Sequence, residues 1–271
     1  MTKATESYST YLLVDTALMI GRAPRALLRK RHRPSWVQPV YDPIAVAVTP
    51  IVIDVQKAYD DGRIGEVIRL TSCCSPQLHV SVIHSHISLT ALVAHLRTIA
   101  YIFTEEKQQL TLRFADCVVA KVLPSVLTED QWSKVTGPFT QWLIHDLDNS
   151  LLRLPIARQA DRCDLPLVLR NPQVEAMKVA TQVHKLIADV KRTTPSVFSD
   201  QPLNHVYSVV EKAQVAWIDA GARDSEVLLE LATHAVRTNG DVLNLRGVQL
   251  LLRNASVEEI RRQLYAVRSK P

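Results

Sequence analysis

Between Pro155 and Asn171 the hydrophobic period of this chain changes, and that change limits the fold more than any single motif does. Upstream, short runs rich in β-formers occur, as at residues 8–15 and 78–84, and Leu110, Leu112 and Phe114 alternate with polar residues. A period of two marks a half-buried strand. Downstream, Val174, Met177, Ala180, Val183, Ile187 and Val190 recur every three or four residues, the period of an amphipathic helix. The pattern predicts an α+β protein. A mixed-sheet N-terminal lobe with flanking helices should occupy residues 1–160, and an all-helical C-terminal lobe residues 165–271.

Several function classes are disfavoured by what the chain lacks. Phosphate-cradling loops need glycine so that the backbone can approach the anion. Only seven glycines occur in 271 residues, with no GxGxxG and no GxxxxGK[ST], so no nucleotide cofactor is expected. There is no GxSxG and no local cysteine-protease signature, so an enzyme is not expected. Four cysteines without a CxxC suggest reduced thiols and no metal site. No apolar run reaches the ~18–20 residues that span a bilayer. The first ten residues, MTKATESYST, are not a secretory signal. The expectation is a cytoplasmic protein with no membrane partner.

Along the chain, strands are predicted at residues 8–15, 36–41 and 45–55, with Pro50 marking an edge strand or bulge in the last. A turn at Asp60-Asp61-Gly62 precedes a helix at 64–70, and a strand at 78–84 follows. Ser88 should open a helix running through Phe103. Residues 108–148 read as strand, helix, helix and strand. In that stretch Arg113 and Asp116 stand at the first strand's end, Thr128 starts the second helix, and Gly137-Pro138 breaks before Trp142. A turn at 146–149 should return the chain at 151–156. In the second part, Asn171-Pro172 reads as N-cap and N1. Further helices are predicted at 202–220, 225–237 and 241–253, and Ser256 with Glu259 forms a capping box for a last one.

The candidate sites are sparse. His84 and His86 would share a strand face close to His79, but no carboxylate or cysteine completes a ligand set for them in the sequence. Asp146, Asp148 and Asn149 hint at a calcium loop, yet its glycine and final glutamate are missing. Arg113 and Asp116 read as a pair orienting a strand–helix junction. The basic run Arg22, Arg25, Arg29, Lys30, Arg31 and Arg33, followed by Trp36, is a candidate surface for an acidic partner. With a net charge of +5 it also allows an alternative reading as a nucleic-acid-associated protein. Aromatic interleaving is poor, so nucleic acid is the less favoured partner.

The sequence resembles the type VI secretion effector-chaperone adaptors (Tap/Tec type), a family originally catalogued as a domain of unknown function. The resemblance begins at YLLVDTAL, which contains Asp15, and continues through SLTALVAHLRTI. It is strongest in LRFADCVVAKVLPSVLTEDQWSKVTGPFTQWLIHD. Arg113, Phe114 and Asp116 match the family's Arg-Phe-Tyr-Asp-Pro strand end. Thr128 and Gln131 match its Thr-x-x-Gln helix start, and Gly137, Pro138 and Trp142 its Gly-Pro-x-x-x-Trp strand. Ala115 and Cys117 depart from the pattern, replacing a tyrosine and a proline. The resemblance implies a non-enzymatic cytoplasmic adaptor. Its partners would be a toxin effector, bound near the effector's N-terminal region, and the VgrG spike onto which the effector is loaded.

Overall fold

The computed structural model describes residues 8–19, 33–41, 49–157, 166–198 and 201–244, with a few positions between 248 and 263. The fold is α+β, and the chain divides into two compact units, residues 1–178 and 179–271.

The first unit is built on a six-stranded sheet. Its strands are β1 (Ser9–Val14), β2 (Val37–Pro39), β3 (Ile51–Asp54), β4 (Val80–Ser85), β7 (Phe139–His145) and β8 (Leu151–Arg153), in the order β2-β3-β1-β4-β7-β8. Every neighbouring pair is antiparallel. The register sets Tyr11 beside Ile83 and Ile83 beside Trp142, while Val14 sits beside Ile51 and Val80. Side chains alternate across a strand, so β1 feeds two cores. Tyr11 and Leu13 pack with Ile83, Trp142 and Ile144 on one face. Val14 packs with Ile51, Ile53, Val80, Trp36 and Met19 on the other.

Helices cover both faces. The second core is closed by α1 (Val55–Asp60) and α2 (Ile64–Thr71), which supply Ala58, Val67 and Leu70. The first is closed by α3 (Leu89–Ile99), α4 (Cys117–Val126) and α5 (Glu129–Thr136). On α3, Leu89, Leu92, Val93, Leu96 and Ile99 are all buried. They form the apolar stripe expected of a helix lying on a sheet. Arg97 on the same helix donates to the carbonyls of Val40 at 2.8 Å and Pro39 at 3.1 Å, tying α3 to the end of β2.

Several boundaries differ from the sequence reading. The helix opened by Ser88 stops at Ile99, and β5 (Tyr101–Thr104) follows after Ala100. β5 anchors a second, three-stranded sheet with β6 (Gln109–Thr111) on one side and β9 (Leu167–Leu169) on the other. β9 was not foreseen. Pairing of β6 ends at Thr111, so Arg113 and Asp116 lie in the link to α4 and not on a strand. Pro50 precedes β3, which is flanked on both sides, so the expected edge strand is instead β2. Val55, read as a strand end, and Asp60, read as part of a turn, are instead the two ends of α1.

The second unit is helical. α6 (Asn171–Thr193), α7 (Leu203–Asp219) and α8 (Ser225–Arg237) are its long elements. Its core holds Val183, Leu186 and Val190 of α6, Val206, Val210 and Ala213 of α7, and Leu228, Leu231 and Ala235 of α8. Gly221, at φ +69°, takes the left-handed backbone that stops α7. α6 begins one residue earlier than predicted. The Arg170 N–H bonds to the Gln173 side chain at 3.0 Å, which makes Arg170 the cap and moves Pro172 to the second helical position. Ser256 lies outside the described residues, as do most of 245–257.

Candidate functional site

Asp15 and Asp116 are far apart in sequence, yet both reach Arg113. Each sits in extended backbone just before a helix, and each uses one carboxylate oxygen as a cap. Asp15 Oδ1 accepts from the Ala17 N–H at 2.9 Å, at the head of a short 3-10 turn (Thr16–Leu18). Asp116 Oδ1 accepts from the Val118 N–H at 3.0 Å, at the head of α4. The second oxygen of each turns to Arg113 Nη2, at 3.0 Å from Asp15 and 3.3 Å from Asp116. One guanidinium therefore clamps the end of β1 to the start of α4. The backbone reinforces it, since the Asp15 N–H donates to the His79 carbonyl at 2.8 Å and the Cys117 N–H to the Leu78 carbonyl at 3.0 Å.

Electrostatically the clamp is lopsided. Asp15 is 3% exposed, whereas the Arg113 side chain is half exposed. Burial raises the Asp116 carboxyl above the usual range; Arg113 opposes this without cancelling it, and Asp15 adds to it. Burial works against the charge on Arg113, but Asp15 and then Asp116 outweigh it, so the guanidinium is held above its ordinary value. Burial first, then Asp15 and Tyr101, push the Tyr41 phenol up to about 12. Burial likewise lifts the Cys117 thiol to about 12, which makes it a poor nucleophile. The arrangement can hold charge and position two helix starts.

The other motif residues surround this clamp. Phe114 and Trp142 are fully buried in the core on the α3–α4–α5 face. The Trp142 indole N–H donates to Ser81 Oγ at 3.0 Å, and its ring stacks on Trp132 at 5.9 Å between centroids. Gly137 ends α5, and a Cβ there would come within 3.2 Å of the Ser133 carbonyl. Pro138 leads directly into β7. Thr128 and Gln131 form a reciprocal capping box at the start of α5. In the basic run, Arg22, Arg25, Arg29, Lys30 and Arg31 lie outside the described residues. Arg33 is described and half-buried.

The histidines do not form the set considered from the sequence. His84, on β4, stacks on Tyr8 at 4.7 Å, and His86 is exposed beyond the strand. His79 instead meets two cysteines. Cys73 Sγ lies 3.5 Å from Cys74 Sγ and 3.6 Å from His79 Nε2. The donor atoms of Cys73, Cys74 and His79 all fall within 4.8 Å of one another. A search for paired CxxC spacing passes over this group. The signal that finds it is Cys-Cys followed five residues on by His, with a helix end before and a strand after.

Asp146, Asp148 and Asn149 form the β7–β8 hairpin turn. The Asn149 N–H donates to the Asp146 carbonyl at 3.0 Å, and Asn149 is at φ +65°. Among the described residues no helix is long and apolar enough to cross a membrane.

A family model described as a domain of unknown function, DUF4123, matches residues 10–134. Asp15, Arg113, Phe114 and Asp116 fall inside that match, and Gly137, Pro138 and Trp142 lie just beyond it. No curated protein and no solved structure matches the chain.

Proposed function

We propose that this protein is a non-enzymatic cytoplasmic adaptor that binds a type VI secretion toxin effector and helps load it onto the VgrG spike. The observation that carries this reading is the convergence of Asp15, Arg113 and Asp116. The residues that carry the resemblance are separated by about a hundred positions in sequence, and they meet in one clamp. Match of residues 10–134 to a domain of unknown function supports it from an independent direction.

The first unit also offers a surface suited to an extended partner. β8 closes the large sheet at one end, with Leu151 56% and Leu152 37% exposed. An edge strand presents unpaired N–H and C=O groups to which another chain can add. Such an edge suits the capture of an effector's N-terminal segment.

Co-expression with a toxin effector and its VgrG spike tests the proposal. The expected result is a stable complex in which effector and chain co-purify, and in which a Leu151→Lys, Leu152→Lys double variant captures less effector without melting earlier. If neither the effector nor the spike co-purifies with a folded chain, the adaptor reading is wrong.

A further inference from the structure

The geometry points to a zinc(II) site made by Cys73, Cys74 and His79, with a fourth position left for water or a partner's donor. Zinc bound by thiolate and imidazole is close to tetrahedral, with Zn–S near ~2.3 Å and Zn–N near ~2.0–2.1 Å. Those lengths set donor separations of roughly 3.8 Å between two sulfurs and roughly 3.5 Å between sulfur and nitrogen. Here the two Sγ atoms are 3.5 Å apart, and Cys73 Sγ is 3.6 Å from His79 Nε2. Two of the three separations thus already match a shared ion, and the third, from Cys74 to His79, falls within 4.8 Å and closes by a movement of the Cys74 side chain. Two thiolates and an imidazole are a borderline-soft set that suits zinc over magnesium or calcium.

The imidazole is buried beside the two thiols. His79 is 1% exposed, and its Nδ1 has no hydrogen-bond partner. Its Nε2 meets only the Leu70 carbonyl at 3.3 Å and the Cys73 sulfur at 3.6 Å. The contact to the carbonyl is longer than a good N–H···O hydrogen bond. A buried polar group left this poorly partnered is costly. A metal on Nε2 would take the place of its hydrogen bond to the Leu70 carbonyl and leave the ring proton on Nδ1.

The surroundings hold these donors in place. The backbone at Leu78 and His79 is fastened, their carbonyls accepting from the Cys117 and Asp15 amides. The loop carrying the cysteines is pinned from the β7–β8 turn, where Asn149 Oδ1 accepts from the Gln77 N–H at 3.0 Å. Both cysteines are partly exposed, so an ion has a path in and the fourth position can face solvent. On binding, each thiol loses its proton to solvent and becomes a thiolate, with no change of oxidation state.

The test uses the full chain, reduced and handled without oxygen. Zinc is titrated against a chromophoric chelator, and cobalt(II) is used as a spectroscopic probe. The expected result is one ion per chain, with a sulfur-to-cobalt charge-transfer band and tetrahedral d–d bands. Cys74→Ser and Cys73→Ser should each weaken zinc by more than the roughly 10–100-fold that loss of an outer partner costs. Cys163→Ser should bind as the parent does. His79 is buried and His79→Gln risks misfolding, so the two cysteine variants, checked for an unchanged far-UV spectrum, carry the decision. Failure of the reduced parent to take up either ion overturns the proposal. So does unchanged affinity in both cysteine variants, or a reduced pair that closes to a Cys73–Cys74 disulfide in air while never capturing metal. None of these outcomes depends on an effector, so the site and the adaptor reading stand or fall separately.

Discussion

Asp116 is pulled in two directions, and the balance says what it does. Burial raises its carboxyl, while Arg113 and the α4 amides favour the charged form without winning. Its ion pair is with a half-exposed guanidinium, so the pairing energy is small after screening. The helix cap is the larger part, worth about 0.5–2 kcal/mol when a capping Asp becomes Ala. Asp116→Ala should therefore cost about 1–2 kcal/mol in denaturant melts. Asp15→Ala should cost more, because Asp15 is the more buried and the nearer to Arg113. The reverse order would mean that the clamp is not organised around Asp15. Acid should act through different residues. His95 Nε2 donates to the Val135 carbonyl at 3.0 Å, so that nitrogen carries the proton. Burial holds the His95 pKa below 6.5, and those of His79 and His84 as well. A group whose folded pKa is depressed gives stability that is present above the unfolded value and lost as pH falls through the folded one. Below pH 6.5 the first unit should thus weaken, by at most about 1.4 kcal/mol per pH unit for each histidine. His95→Gln keeps a donor near Val135 and removes the titration. Melts at about pH 7.5 and about pH 5.5, spanning the ordinary imidazole range, should show a smaller loss in that variant. An unchanged loss would exclude His95 as a contributor.

Among the elements, two glutamines join parts that the hydrophobic pattern leaves separate. Gln131 Oε1 accepts from the Thr128 N–H at 2.9 Å and from Gln173 Nε2 at 2.7 Å. Its Nε2 donates to the Val168 carbonyl on β9 at 2.8 Å. Gln173 Nε2 also donates to the Val126 carbonyl at the end of α4, at 2.8 Å. The pair ties α4, α5, β9 and the start of α6 together. Gln131→Leu and Gln173→Leu should each cost about 1–3 kcal/mol, since each leaves partners unsatisfied. Their sum should exceed the cost of the double variant, because each removes the same bond. Additive costs in the double-mutant cycle would show that the two side chains act independently. The same region shows why parts of the fold were not legible in sequence. The capping box at Thr128 and Gln131 is a local signal and could be read. β9 is only Leu-Val-Leu, and its existence depends on a parallel pairing with β5 that no local pattern encodes. Ile99, Ile102 and Phe103 keep helical spacing, so the α3–β5 junction at Ala100 is hidden by the period that correctly finds α3. For the site, Arg113 and Asp116 are legible as a pair at short range. Their shared contact with Asp15 surfaces only in three dimensions, whereas His79 lies six residues from Cys73 and is within reach of a local spacing search.

On the scale of the molecule, each unit holds its own buried core. Tyr11, Trp142 and Phe114 belong to the first unit, and Val210, Leu231 and Ala235 to the second. The boundary at Lys178 falls inside α6. Val174 and Met177 pack on the first core, and Val183, Leu186 and Val190 enter the second. A composition shift near Pro155 marks the end of the large sheet. It could not mark this boundary, because one uninterrupted helix serves both cores and its apolar stripe does not break. Separate cores should respond separately to damage. Leu231 is fully buried on α8, and Leu231→Ala removes several methylenes from a packed site at a cost of about 2–5 kcal/mol. Amide hydrogen exchange should then accelerate in α7, α8 and the last turns of α6, where local opening becomes easier. β1, β4 and β7 should keep the parent's exchange rates, as should the amides of Ala17 and Val118 that cap onto Asp15 and Asp116. The opposite substitution, Trp142→Ala in the first core, should cost about 3–5 kcal/mol and speed exchange in the sheet while sparing α8. If either variant loosened both sets of amides equally, the two cores would be one cooperative unit, and the division inside α6 would carry no thermodynamic meaning.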